Sequence, residues 1–178
     1  MPRGAPLSRA LRAVLLLAGV VGTAGCTGSG PAAGPVEVPP PSLAGAAVDR
    51  ACRALLAELP DEVAGDAARR QVQPDTGRTA AWGDPPVVLE CGVPAPERDE
   101  PPFVVNGVGF TTRDVGSATR WTTYGRTVRA AVTVPDDYSG GDVMVGLTAA
   151  LGRALPVDPT SPPLVEPLAD PPPTPEPS

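Results

Sequence analysis

The chain contains no histidine and no lysine, so all 14 of its basic residues are arginine. Without histidine there is no imidazole base or imidazole metal ligand, and without lysine there is no Schiff base or Ser-Lys pair. These absences exclude most hydrolase mechanisms. Aromatic residues are also scarce, at 3% of the chain, so we expect them to be needed first as bulk in the core.

A long apolar run is missing as well. The apolar residues 13–21 are too few to cross a bilayer, which takes about 20 residues in a helix. They follow three arginines and precede small residues that lead to Cys26, the arrangement of a secretory signal. The basic residues are Arg3, Arg9 and Arg12.

Cys26 directly follows small residues, as in a bacterial lipobox. We therefore expect residues 1–25 to be a lipoprotein signal peptide and Cys26 to carry the lipid. Thr23 stands where lipoboxes more often have leucine, which leaves simple signal cleavage open as the alternative. The expected location is the extracytoplasmic face of the cell membrane.

The chain has three cysteines, an odd number for an exported protein. Lipidation of Cys26 leaves Cys52 and Cys91 to form a disulfide in an oxidising compartment. Their bond would close a loop of about 40 residues, worth about 4 kcal/mol on the chain-entropy estimate. A zinc site is disfavoured because there is no histidine and no closely spaced cysteine pair.

Acidic residues outnumber basic ones, giving a formal charge of −6. Removal of the signal takes away three arginines and leaves 11 basic against 20 acidic residues, or −9. Such a chain is repelled by nucleic acid and by anionic lipid head groups. Membrane association is therefore expected through acyl chains and not through a basic patch.

The chain contains 26 proline and 20 glycine residues, and segments rich in them mark the limits of the expected domain. Residues 26–45 are rich in Gly, Ser and Pro and predict a tether, and residues 158–178 predict a Pro-rich, acidic, disordered tail. Residues 46–157 are enough for a single domain.

Within that domain, apolar residues at helical spacing predict a helix from Val48 to Leu59, with Cys52 on its buried face. The strand 87–91 ends at Cys91, so the disulfide would join helix to sheet. A second helix over 143–155 follows Asp142, its expected cap.

The remaining strands are expected at 103–105, 108–110, 121–124 and 127–134, with Asn106-Gly107 forming a type I′ hairpin turn. We predict an α+β fold, a two-layer sandwich in which two helices cover one face of an antiparallel sheet of about four to five strands. Trp82 and Trp121 are expected in its core.

Four segments of the chain form a recognisable set: Cys52-Arg53-Ala54-Leu55, the run from Ala81 to Pro94, Val105-Asn106-Gly107-Val108 and Trp121-Thr122-Thr123-Tyr124-Gly125-Arg126. Together they resemble an actinobacterial family of exported proteins and lipoproteins, the domain of unknown function 3515 family. The resemblance covers most of the mature domain and implies an envelope location, but no activity. Phe110 stands where many relatives have tryptophan near the Asn-Gly hairpin.

Two groups of acids are candidate sites. Asp136, Asp137 and Asp142 could bind a hard cation, but their spacing differs from an EF-hand, so a solvated loop with a helix cap is favoured. Asp84 and Glu90 could act as paired carboxylates in sugar hydrolysis, the alternative function, although most such acids are surface charges.

Aromatic and arginine residues supply two further candidates. A stacking platform could form from Trp82, Trp121 and Tyr124, which are needed first in the core. Four arginines of the strand region could bind acidic envelope polymers, but are expected to pair with the chain's own carboxylates: Arg113, Arg120, Arg126 and Arg129.

We assign no catalytic residue, cofactor or metal to this sequence. The expected function is a lipid-anchored, non-enzymatic binding or interaction module of the cell envelope. Its expected partners are the membrane, through the anchor, and an envelope protein or cell-wall component.

Overall fold

The computed structural model describes residues 34–96, 102–162 and 164. These residues form two helices and ten strands, and neither helix is long and apolar enough to span a membrane. In chain order they are β1 (Val36–Glu37), α1 (Ala46–Glu58), β2 (Glu62–Val63), β3 (Ala67–Arg70), β4 (Val72–Gln73), β5 (Thr79–Trp82), β6 (Val87–Val93), β7 (Phe103–Val105), β8 (Val108–Asp114), β9 (Ala118–Thr123), β10 (Arg129–Pro135) and α2 (Gly140–Ala154).

Eight strands form one antiparallel sheet in the order β2-β3-β5-β6-β10-β9-β8-β7, and β1 and β4 form a separate parallel pair. The α+β class, the antiparallel sheet and the two helices are confirmed. The expected count of four to five strands is wrong. The strands β2, β3 and β5 were missed because they are two to four residues long and lack the alternating β-branched pattern that marks a strand.

Both helices pack on the same side of this sheet, which we call the helix face. Alternation places Val87 and Leu89 of β6, with Ala130 and Val132 of β10, under the helices, and all four are at most 1% exposed. Trp82 is fully buried in this core, whereas Trp121 is only partly buried. The helix layer adds Leu55, Val143, Met144, Leu147 and Leu151.

The expected disulfide joins Cys52 of α1 to Cys91 of β6, with Cα atoms 5.6 Å apart. Both cysteines are fully buried. The bond therefore links the helix layer to a central strand of the sheet, as the sequence predicted.

The Asn106-Gly107 turn between β7 and β8 is also as expected. Both residues have positive φ, 47° and 79°, which is the requirement of a type I′ turn. The Asn106 amide donates to Thr148 Oγ1 on α2 at 3.1 Å. The turn thus connects the sheet edge to the helix layer.

The opposite face of the sheet, which we call the second face, is partly covered by two chain segments. Val36 of β1 and Val38, directly after β1, pack with Ala81 of β5 and Val88 of β6. This places part of the predicted tether, 26–45, against the folded domain.

At the other end of the domain, the backbone N–H of Asp158 donates to Gly125 at 2.9 Å. Leu164 lies against Gly109 on β8. The structured chain therefore continues past the expected domain end at Val157. Cys26, the signal segment and residues 165–178 lie outside the described residues.

The expected cap of α2 is corrected by the structure. Ser139 is the N-cap, and its hydroxyl accepts from the Asp142 N–H at 3.4 Å, while Asp142 lies in the first turn. An acidic residue there still interacts favourably with the helix dipole.

Removing the disulfide by Cys52→Ala/Cys91→Ala should lower the free energy of unfolding by about 4 kcal/mol, because the bond closes a loop of sequence separation 39. Urea unfolding of both proteins measures the difference. The comparison variant is Leu89→Ala, which removes apolar contacts from the same core but leaves the disulfide in place. It should lower the free energy of unfolding by about 2–5 kcal/mol. Equal unfolding midpoints for wild type and the double variant would contradict the predicted stabilisation.

Candidate functional site

Three chain turns meet at one end of the sheet and enclose an open cleft of about 520 Å³. They are the β2–β3 turn, the β5–β6 turn and the loop from β10 into α2. The cleft is lined by four carboxylates, and we call it the acidic cleft: Asp66, Asp84, Asp137 and Asp142.

A glycine allows two of these turns to approach closely. Gly83 has φ +68°, and a Cβ there would overlap the Tyr138 hydroxyl and touch Ala67. Tyr138 can therefore lie against the β5–β6 turn only because residue 83 has no side chain. This contact sets the spacing between the Asp84 turn and the Asp137 loop.

The buried indole of Trp82, next to the Gly83 turn, stabilises the fold. The Trp82 N–H donates to the Pro60 carbonyl at 3.0 Å, and the Arg69 guanidinium lies 5.5 Å from the ring centroid. A hydrogen bond and a cation–π contact thus hold the strand that leads into the turn.

The cleft presents negative charge to water. Asp84 is 74% exposed and lies 3.6 Å from Arg70, which also donates to the Gly83 carbonyl at 2.8 Å. Carboxylates placed this way accept hydrogen bonds and attract cations. Among the described residues, no three His, Cys, Asp or Glu side chains lie close enough to hold a metal ion.

The structure therefore brings together acids that the sequence placed in two separate candidate sites, Asp84 and the pair Asp137 and Asp142. Asp66 was missed, because an isolated acid in a turn carries no sequence signal of its role. Asp136 does not line the cleft.

Glu90, the other half of the proposed carboxylate pair, does not face this cleft. It lies three residues into β6, about 10 Å along the strand from its start, while Asp84 precedes the strand. Glu90 is bound to Arg120 and Asp84 to Arg70. The two acids thus belong to different ion pairs.

The pairing of residues between strands shows which side chains are neighbours in the middle of the second face. Arg113 of β8 is directly opposite Arg120 of β9, and Arg120 is opposite Thr133 of β10. The next row toward the other strand ends contains Thr111, Thr122, Ala131, Glu90 and Thr79.

Arg120 is the centre of a half-buried polar cluster. It donates to Glu90 at 2.5 Å and to the Thr133 hydroxyl at 3.2 Å. The side chains of Arg120 and Glu90 are 24% and 20% exposed, so the pair is partly shielded from water. This bond offsets the repulsion expected between Arg113 and Arg120 across the strands.

The other two arginines have separate structural contacts. Arg126 is buried and donates to the Leu155 carbonyl at the end of α2, at 2.7 Å, and burial lowers the pKa of its guanidinium. Arg129 lies near Asp158. Hydrogen bonds from Thr160 are the main cause of the lowered pKa of Asp158, and the charge of Arg129 adds to it.

The aromatic platform considered from the sequence does not form. Trp121 lies on the helix face, 6.2 Å from Phe110 and 6.3 Å from Phe103, while Tyr124 adjoins Gly109 on the second face. The sheet therefore separates Tyr124 from Trp82 and Trp121, which both belong to the core of the helix face.

The family described as "Protein of unknown function (DUF3515)" matches residues 10–160. No curated protein and no solved structure matches the chain significantly.

Replacing Arg120 by leucine should destabilise the fold by about 2 kcal/mol, because Glu90 keeps a half-buried charge without its partner. The matched control is Arg113→Leu, at the exposed position opposite, which should change stability by less than about 0.5 kcal/mol. Urea unfolding compares the two. A loss for Arg120→Leu no greater than for the control would contradict the prediction.

Proposed function

The chain belongs to the family described as Protein of unknown function (DUF3515), and we propose that it is a lipid-anchored interaction module of the cell envelope. In this proposal Cys26 is the acylated first residue of the mature protein. The domain binds an envelope protein or a cell-wall component and performs no chemistry of its own. Its resemblance to exported actinobacterial lipoproteins supports the same location.

The observation that carries the proposal is the disulfide between Cys52 and Cys91. Disulfides persist in oxidising compartments and are rare in the cytosol. The bond uses two of three cysteines, and the remaining one follows Ala24-Gly25, the small residues that a lipobox requires. One arrangement of the three cysteines thus accounts for both export and anchoring.

The residue types of the chain support binding over catalysis. A sequence without histidine and lysine has no imidazole base or amine nucleophile. The acids of the acidic cleft are exposed, whereas the catalytic acid of a glycosidase works in a desolvated pocket that keeps it protonated. Exposed carboxylates around an open cleft are suited to recognising a ligand by charge and hydrogen bonds.

The anchor is tested by replacing Cys26 with serine in the native host. We expect the wild-type protein in the membrane fraction with an N-terminal peptide whose mass includes diacylglycerol. The Cys26→Ser protein should lose that mass and leave the membrane fraction. The double variant Cys52→Ala/Cys91→Ala, although less stable, should keep the lipid. Unmodified Cys26 in the wild-type protein would contradict the proposed anchoring.

The interaction role is tested in the same cells with a photo-cross-linking residue. One variant carries it at Ser139, on the rim of the acidic cleft, and a control carries it at the exposed Arg50 of α1. A reproducible adduct from Ser139 that weakens in Asp137→Asn/Asp142→Asn, with none from Arg50, is the expected result. Identical patterns at both positions would contradict a role for the cleft.

A further inference from the structure

We propose that an open cleft between β4 and β5 binds the terminal carboxylate of a short, extended peptide. The cleft has a volume of about 540 Å³ and shares no lining residue with the acidic cleft. We call it the edge cleft, and its lining includes Leu56, Arg69, Arg70, Asp75, Thr79 and Ala80. The proposal adds a second binding site and depends neither on the lipid anchor nor on the role proposed for the acidic cleft.

The edge cleft exists because β3 ends before β5 does. β3 pairs with β5 only at Trp82 and Ala81. Val72 is the residue that would continue this ladder opposite Thr79, but it pairs instead with Val36 of β1. The chain thus leaves the edge of β5, and a gap opens beside Thr79.

The main chain of β5 directs hydrogen-bonding groups into this gap. The Cys91 N–H of β6 donates to the Arg78 carbonyl at 2.8 Å, so the backbone of residue 78 faces β6. Backbone groups of successive residues in an antiparallel strand point to alternate sides, so the N–H and C=O of Thr79 point into the gap. An extended peptide in the edge cleft can pair with them as an added strand does.

The side chain of Thr79 gives a second, independent indication of a ligand. Thr79 lines the edge cleft and is only 6% exposed, and its Oγ1 has no hydrogen-bond partner among the described residues. A shielded hydroxyl without a partner costs free energy, which a ligand recovers by supplying that partner. Staggered positions of χ1 exchange the hydroxyl with the methyl group, so the hydroxyl can take the side that faces the cleft.

Arg69 supplies positive charge for a carboxylate. Its half-buried side chain lies over the Trp82 ring, and its one hydrogen-bond contact is to the Leu59 carbonyl at a long 3.5 Å. Within the part of the chain that the structure describes, no carboxylate lies within salt-bridge distance of Arg69. A guanidinium in this state can form a charge-assisted pair with a bound carboxylate.

The other charged residues of the edge cleft leave this preference in place. Arg70 binds Asp84 and the Gly83 carbonyl through its terminal nitrogen, and its Nε is shielded without a partner among the described residues. The carboxylate of Asp75 accepts from the Gly77 N–H at 3.1 Å, within its own turn. Two arginines against one acid make the cleft attractive to an anion.

The size and apolar wall of the edge cleft favour a peptide with small side chains. Leu56 of α1 and Ala80 of β5 add apolar surface to the lining. The volume lies within the range of small-molecule sites, about 300–1,000 Å³. A few residues with small, uncharged side chains therefore fit, with their main chain along β5 and their carboxylate near Arg69.

Binding can be measured by nuclear magnetic resonance on the full chain, isolated with isotope label from its native host and kept in detergent. The probes are N-acetyl-trialanine, which has a free carboxylate, its C-terminal amide, and acetate. We expect saturable shifts of the Thr79 and Ala80 amide signals with N-acetyl-trialanine. The amide and acetate should each bind at least about tenfold more weakly, because one lacks the charge and the other the main chain.

Two substitutions test the residues that carry the proposal. Thr79→Val keeps the shape of the side chain but removes the hydroxyl, and Arg69→Gln removes the charge. Each should weaken binding of N-acetyl-trialanine about tenfold, whereas Arg50→Gln, at an exposed position of α1, should leave it unchanged. Because the Thr79 hydroxyl has no partner, Thr79→Val should unfold at no lower urea concentration than wild type, which separates lost binding from lost folding.

Three outcomes would overturn the proposal. The first is the absence of a saturable shift with N-acetyl-trialanine. The second is equal affinity for its amide or for acetate. The third is a set of shifts confined to Gly83 and Ser139, which would place the peptide in the acidic cleft. None of them bears on the anchored interaction module, because neither Cys26 nor the carboxylates of the acidic cleft enter this site.

Discussion

The bond between Cys52 and Cys91 is the constraint on which the rest of the structure depends. It links α1 to β6, one of the two central strands of an eight-stranded sheet, inside a core where both sulfur atoms are shielded from water. A domain of this size buries a modest core, so one cross-link is a large part of its stability. Disulfides persist mainly in oxidising compartments, and this connects the bond to the proposed location.

The helix face of the sheet could be predicted largely from the sequence. Helical spacing identified α1 and α2, the run 87–91 identified most of β6, and Asn106-Gly107 fixed the hairpin because both residues tolerate positive φ. The cap of α2 was misplaced from Ser139 to Asp142, since both residue types are good caps and lie within one turn. The short strands β2, β3 and β5 had too few residues to show a period.

The candidate site was less predictable, because it is made by turns far apart in sequence. Asp84 and Asp137 both line the acidic cleft because Gly83 and Tyr138 are in contact, and no local sequence pattern predicts that contact. On the second face, the pairing of Glu90 with Arg120 depends on strand order, which places β10 between β6 and β9. The expectation that the arginines pair with the chain's own carboxylates is confirmed for Arg120, which binds Glu90. Arg126 instead donates to the Leu155 carbonyl at the end of α2.

The central proposal is that this domain is exported and that its disulfide is formed in the cell. The most direct measurement is alkylation of the protein in intact native cells with a membrane-permeant thiol reagent, followed by digestion and mass spectrometry without reduction. The account predicts a linked peptide pair containing Cys52 and Cys91, with neither cysteine alkylated. Recovery of both cysteines as alkylated thiols would contradict it.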